Sequence, residues 1–158
     1  FKDLLVQNPS DDRNDWLTVS GTKYLVNKFN NKEYFNVPIV YLTSLKLIRA
    51  EALAEVGTSL DVAINDVNDI RDRAFGEGLN DLSETATSED IIAAARIEMW
   101  KETACEGTWI DQLKRRGTMG ENIEVRDAPW DCPGMALQFP NGETSAAGFQ
   151  LNPEGGCN

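Results

Sequence analysis

The chain has no histidine, three cysteines and only 8% aromatic residues. Without imidazole there is no Ser-His-Asp or Cys-His catalysis, no histidine zinc site and no histidine pH switch. Cys105, Cys132 and Cys157 contain no C-x-x-C pair, which excludes a metal ribbon and a thioredoxin-type redox centre. Cys105 falls in a helical pattern and is expected to behave as a small buried hydrophobe. Cys132 and Cys157 sit in a loop-rich tail, where spacing alone leaves open whether they pair. Basic residues are also scarce: 15 Lys+Arg against 26 Asp+Glu give a formal net charge of −11. With a pI near 4.4, the chain lacks the basic surface that nucleic acid or an anionic membrane needs. Its apolar runs fall well short of the ~20 residues of a membrane-spanning helix.

What remains is a 158-residue chain, enough for one domain that buries ~70% of its unfolded surface. It opens at Phe1 rather than Met and is read as part of a longer polypeptide, with any targeting signal upstream. Residues 1–158 are taken as one domain in three stretches. Residues 1–37 form a polar, extended lead-in. The turn cluster Asn8-Pro9-Ser10-Asp11-Asp12-Arg13 is followed there by Lys23–Phe29, which alternates like a half-buried strand. Residues 38–117 carry helical periodicity. Residues 118–158 hold six of the twelve glycines and four of the six prolines, so little regular structure is expected there.

Four helices are predicted in the middle stretch. The first runs from Pro38, with Leu42, Leu45, Ala52 and Val56 as its apolar face, and stops at Gly57. The second, capped by Thr58 or Ser59, carries the stripe Leu60, Ile64, Val67, Ile70 and Ala74 and ends near Gly76. So short a connection makes the two antiparallel neighbours. Thr87-Ser88-Glu89-Asp90 has the form of a capping box. The third helix follows it to about Glu106, burying Ile91, Ile92, Ala95 and Met99. A fourth carries Trp109, Ile110 and Leu113 to Gly117, and its Lys114-Arg115-Arg116 end suits the helix dipole. Gly76-Glu77-Gly78 is a helix-to-helix loop, since no Lys-Ser/Thr follows to make it a phosphate loop.

Tyr41–Gly57, with its Leu47-Ile48-Arg49-Ala50-Glu51-Ala52-Leu53 core, resembles the L-I-R-A-E-A-L…G helix of the SusD/RagB outer-membrane lipoproteins. Ile64-Asn65-Asp66-Val67-Asn68-Asp69-Ile70-Arg71-Asp72-Arg73-Ala74 is similar to the family's second-helix motif. Glu98, Glu102, Glu106-Gly107 and Leu113–Gly117 follow its E…E…E-G…L-x-R-x-G pattern. Phe139–Glu143 and Leu151–Gly155 resemble its terminal segments. Tyr41 and Trp109 stand where the family usually has Arg, and Gln112 where it usually has Asp. The resemblance implies a mostly α fold with tetratricopeptide-like antiparallel helix pairs, here the C-terminal part of a longer family member. It also implies a surface-exposed lipoprotein, anchored through a segment upstream, that captures glycans or oligosaccharides for nutrient uptake. Its partner would be a TonB-dependent transporter of the SusC type, and neither catalysis nor a cofactor is implied.

Two groups of side chains are candidates for chemistry. Glu98, Glu102 and Glu106 recur at i, i+4 and i+8 on one helix face, a spacing compatible with a calcium site or an acid/base pair. Ion pairing with Arg49, Arg71, Arg73, Arg96 or Arg115 is the preferred reading, because unpaired acids at this spacing repel. Glu51, Arg71 and Arg73 are placed in the same structural network. For ligand contact the candidates are aromatic rings in polar, turn-rich segments, where sugar C–H faces can stack: Trp130, Trp16 and, more weakly, Tyr34. Trp100, Trp109 and Tyr41 are expected in the core. A helical scaffold that binds protein rather than sugar is the alternative. A glycosidase is a third reading, but no pair of facing carboxylates is identifiable.

Overall fold

The computed structural model describes residues 2–29, 39–125, 127–135, 142 and 148. The chain divides into two compact units, Phe1–Glu106 and Gly107–Asn158.

The first unit is organised by a hairpin of two helices, α2 (Leu42–Val56) and α3 (Leu60–Phe75). Gly57 ends α2 in the left-handed region at φ 72°, a conformation that glycine adopts without a Cβ clash. The turn is closed by the Gly57 and Thr58 amides, which donate to the carbonyls of Ala54 and Leu53 at 3.1 Å each. Helix α4 (Ser88–Glu102) packs against both members of the hairpin. It begins at a true capping box. The Thr87 amide donates to Asp90 Oδ2 at 3.0 Å, and the Asp90 amide to Thr87 Oγ1 at 3.2 Å. The long α3–α4 connection is pinned by Asn68, which accepts from the Leu82 amide at 2.8 Å and donates to the Leu82 carbonyl at 3.2 Å.

The apolar core is built by Leu47, Ala50 and Ala54 of α2, Ala63, Ile64, Val67 and Ile70 of α3, and Ile91, Ala94, Ala95 and Met99 of α4. Alanine at the contact positions brings the helices close, and the larger aliphatics fill the gaps between them. The α3 stripe is the one its periodicity predicts. The α2 face is the opposite of the predicted one: Leu42, Leu45 and Val56 are 71%, 52% and 77% exposed. Both faces of α2 are apolar, and the small residues of the alanine-rich face allow the closer approach. Pro38, expected in its first turn, lies outside the described residues, and the helix itself begins at Leu42 after Tyr41.

The lead-in is more structured than its composition implies. It contains α1 (Lys2–Val6), a 3-10 turn (Asp12–Trp16) and an antiparallel ribbon of β1 (Leu17–Ser20) and β2 (Lys23–Val26), with Leu17 opposite Val26 and Ser20 opposite Lys23. Every residue of β2 is exposed, so the expectation of a half-buried strand fails. A two-stranded ribbon hides one face only where another layer covers it.

In the second unit, α5 (Trp109–Thr118) is followed by a short ladder of β3 (Glu124–Val125) and β4 (Ala128–Pro129) and a 3-10 turn at Pro133–Met135. Ile123 and Ala128 are buried. The Trp130 amide donates to the Ile123 carbonyl at 3.2 Å. Its indole lies flat on α5 at Gly117, where an added Cβ would stand 2.4 Å from the ring. Cys132 is disulfide-bonded, whereas Cys157 lies outside the described residues. Cys105 is free and exposed, at φ 63° in the turn after α4. Its expected burial is wrong because α4 stops at Glu102, before the helical register reaches it.

Candidate functional site

A network of charged side chains gathers at the C-terminal end of α4, where orphan carbonyls and the helix dipole favour cations. Glu98 projects from α4 and is 1% exposed. Its carboxylate meets Arg13 Nη2 at 2.7 Å, Arg71 Nε at 3.2 Å and Lys101 Nζ at 3.9 Å. The Arg13 contact is close in distance but misses hydrogen-bond alignment, leaving Glu98 Oε2 with ionic contact alone. One turn later, Glu102 is held by Arg13 Nη1 at 3.1 Å and Arg73 Nη2 at 2.6 Å. Arg73 in turn donates to Thr43 Oγ1 at 3.1 Å, tying α2 into the same cluster.

Arg13 arrives from the 3-10 turn, braced by Asp11. The Arg13 Nε and Nη2 groups donate to the two Asp11 carboxylate oxygens at 2.7 and 2.8 Å, and Lys101 donates to Asp11 at 3.1 Å. Arg13 and Lys101 both stand over the Phe75 ring, at 5.7 and 5.2 Å from its centroid. Burial pushes the Asp11 carboxyl up, but hydrogen bonds and charge from Arg13 and Lys101 outweigh it and hold its pKa below the ordinary 3.8. Burial likewise pulls the Arg13 guanidinium down, and Asp11 and Glu98 more than restore it, so its pKa is raised.

Glu106 lies past the end of α4, so the predicted i, i+4, i+8 face holds for Glu98 and Glu102 and not for the third acid. Its carboxylate instead takes the Lys28 ammonium at 2.5 Å and the Tyr41 hydroxyl at 3.1 Å. The Lys28 ammonium also donates to the Glu102 carbonyl. It sits 4.3 Å from the Trp16 ring centroid, 5.5 Å from Phe29 and 5.8 Å from Tyr41. Burial, followed by the hydrogen bond to Glu106 and its charge, pushes the Tyr41 hydroxyl up to about 12.

The remaining sequence candidates are arranged as follows. Glu51 pairs with Arg96 at 2.6 Å, and Arg96 also reaches Glu55 at 3.3 Å. Arg49 grips Asp66 through two bonds of 2.7 Å, joining α2 to α3. Trp16 is half-buried in the first unit with one ring face on Lys28, and Trp130 is half-buried in the second unit with its ring on Gly117. Tyr34 lies outside the described residues. Among the described residues, no group of three or more Asp, Glu or Cys is arranged to hold a metal ion.

Sequence reasoning did not place Asp11, Arg13, Lys28 or Lys101 in this ion-pair network. Asp11 and Arg13 stand in a turn cluster that carries no periodicity, and Arg13 finds Glu102 across 89 residues of sequence. The one local clue was an acid two residues before an arginine in a turn.

The sequence matches the SusD family over residues 3–131, well over half of the chain. The protein belongs to that family. Searches of curated proteins and of solved structures return no match. The mostly helical architecture with a short strand ribbon near the N-terminus agrees with the SusD-like helical fold. Family membership supports, in general terms, a nutrient- or glycan-binding role associated with the outer membrane, carried out by binding rather than by catalysis.

Proposed function

We propose that this chain captures glycans or oligosaccharides at the bacterial cell surface, as the SusD-like partner of a SusC-type TonB-dependent transporter, anchored as a lipoprotein. The observation that carries the reading is the family match over residues 3–131. The site geometry is compatible with it. Glu98, Glu102 and Glu106 are neutralised by Arg13, Arg71, Arg73, Lys101 and Lys28, which favours a structural over an acid/base role. Trp16 and Trp130, both half-buried, are the proposed stacking surfaces, and Tyr34 is a third candidate contact. Capture would be reversible, by ring stacking and polar side chains without covalent chemistry.

Calorimetric titration of the whole chain with a panel of neutral oligosaccharides tests this. Saturable binding to at least one of them is expected, and Trp130→Ala or Trp16→Ala should weaken it about tenfold, ~1.4 kcal/mol. A panel without saturable binding rejects the reading.

One observation favours the alternative of a protein-binding scaffold. Leu42, Leu45, Ile48 and Val56 form an exposed apolar stripe along the outer face of α2, the kind of surface that takes an amphipathic helix. In that case polar substitutions on the stripe would abolish association with a protein partner and leave oligosaccharide titrations unchanged.

A further inference from the structure

The glycine at position 117 is not called for by the backbone. Gly117 lies inside α5 and is not among the residues at positive φ, and within a helix glycine is a weaker choice than alanine. What calls for it is space. A Cβ there would stand 2.4 Å from each of Cγ, Cδ2 and Cε2 of Trp130. Equal distances to three atoms of the five-membered ring put that point over the indole face rather than at its edge. The main chain that carries the ring is tied on both sides of it. The Trp130 amide donates to the Ile123 carbonyl at 3.2 Å, the Cys132 amide donates to the Pro129 carbonyl at 3.1 Å, and Cys132 is itself disulfide-bonded. Gly117 is buried, while Trp130 is half-buried. Because the helix closes one face of the ring, the exposure left to Trp130 belongs to its other face and its edges.

We propose that Gly117 is a positioning residue for carbohydrate, a seat that takes the inner face of Trp130 and holds the outer face ready for one sugar ring. The inference rests on the reading of Trp130 as a stacking surface, and adds which face is used and what fixes it. A ring seated in this way stacks a sugar from one side only. It suits a pyranose that lays a face of C–H bonds on the indole and leaves its hydroxyls to polar groups around the rim. An indole already held in place loses little freedom when the sugar arrives, which is how preorganisation raises affinity. A side chain at position 117 lifts the indole from the helix, and a lifted ring presents a different plane.

Gly117→Ala, Trp130→Ala and the double variant, each made in the whole chain, test this. Fluorotryptophan in place of the four tryptophans reports on each ring by fluorine NMR, and Trp130→Phe assigns the Trp130 line. Gly117→Ala should move that line. In titrations with the same panel of neutral oligosaccharides, Gly117→Ala should weaken the binding seen in wild type about tenfold, and should weaken it no further once Trp130→Ala is present. Amide exchange in α5 reads the seat locally. Gly117→Ala should speed it when the indole is there and slow it in the Trp130→Ala background, where the clash is gone and the better helix former remains. An unmoved Trp130 line, or the same change in exchange in both backgrounds, overturns the seat. A moved line with undiminished binding overturns its role in positioning. Wild type without saturable binding rejects the stacking reading itself, and this role with it. If Gly117→Ala does not fold, a folded double variant supports the seat, and a double variant that fails to fold where Trp130→Ala succeeds overturns it.

Discussion

Glu98 is where sequence spacing and three-dimensional contact meet. Its place one turn before Glu102 was legible in the sequence, because acids four apart on a packed helix need cations nearby. Arg71 was equally legible as a partner. Arg13 was not, since nothing local links a turn residue to a helix so far along the chain. The geometry makes Glu98 the member whose loss costs most: it is 1% exposed and faces Arg13, Arg71 and Lys101 together. Glu98→Gln keeps the shape and removes the charge, leaving three buried or half-buried cations undercompensated. The expected loss is about 3 kcal/mol of unfolding free energy, as for breaking buried ion pairs elsewhere. Urea denaturation followed by far-ultraviolet circular dichroism measures it. A loss below about 1 kcal/mol, as in an exposed pair, would show that solvent already neutralises the site.

Among the elements, α3 and α2 show when periodicity identifies a buried face and when it does not. The α3 stripe alternates with Asp and Asn, so only one face can turn inward. Helix α2 carries Leu42, Leu45, Ala52 and Val56 on one side and Leu47, Ala50 and Ala54 on the other. A pattern apolar on two sides names no interior. The choice falls to packing distance, which favours the side where Ala50 and Ala54 let α3 and α4 approach. The capping box at Thr87 was readable because its signal is local, and so was the glycine stop at Gly57. The end of α4 was less so. The chain leaves the helix at Thr103, four residues before Gly107, the expected boundary. The two faces of α2 are separable by experiment. Leu47→Ala, at a site 1% exposed, should cost about 2–5 kcal/mol. Leu45→Gln, at a site 52% exposed, should stay within about 0.5 kcal/mol of wild type. Thermal and urea unfolding of the two variants side by side would reverse this assignment if the order of the losses were inverted.

At the scale of the whole molecule, the excess of acid over base makes the pH dependence of stability informative, and two groups that reach the residues around the end of α4, Asp11 and Tyr41, are shifted in opposite directions. The Asp11 carboxyl sits below 3.8 in the folded chain. Its contribution is therefore complete above the unfolded value and disappears as pH falls through the lower folded one. Asp11→Asn should flatten the acid limb of the stability curve below pH 3.8. Tyr41 behaves in the opposite sense. Its hydroxyl rises from 10.0 to about 12 through burial and its hydrogen bond to Glu106. Between those values the unfolded chain gives up the proton and the folded chain keeps it, so unfolding is favoured progressively as pH rises from 10.0 to about 12. Tyr41→Phe removes this titration while keeping the ring beside Lys28. Its stability should consequently decline less steeply than wild type across that window, even though it starts lower for want of the hydrogen bond to Glu106. Urea midpoints at half-unit pH steps give the two slopes. Parallel slopes would mean that Tyr41 is as free to ionise in the folded chain as in the unfolded one, and that the contact between the start of α2 and Glu106 does not persist in solution.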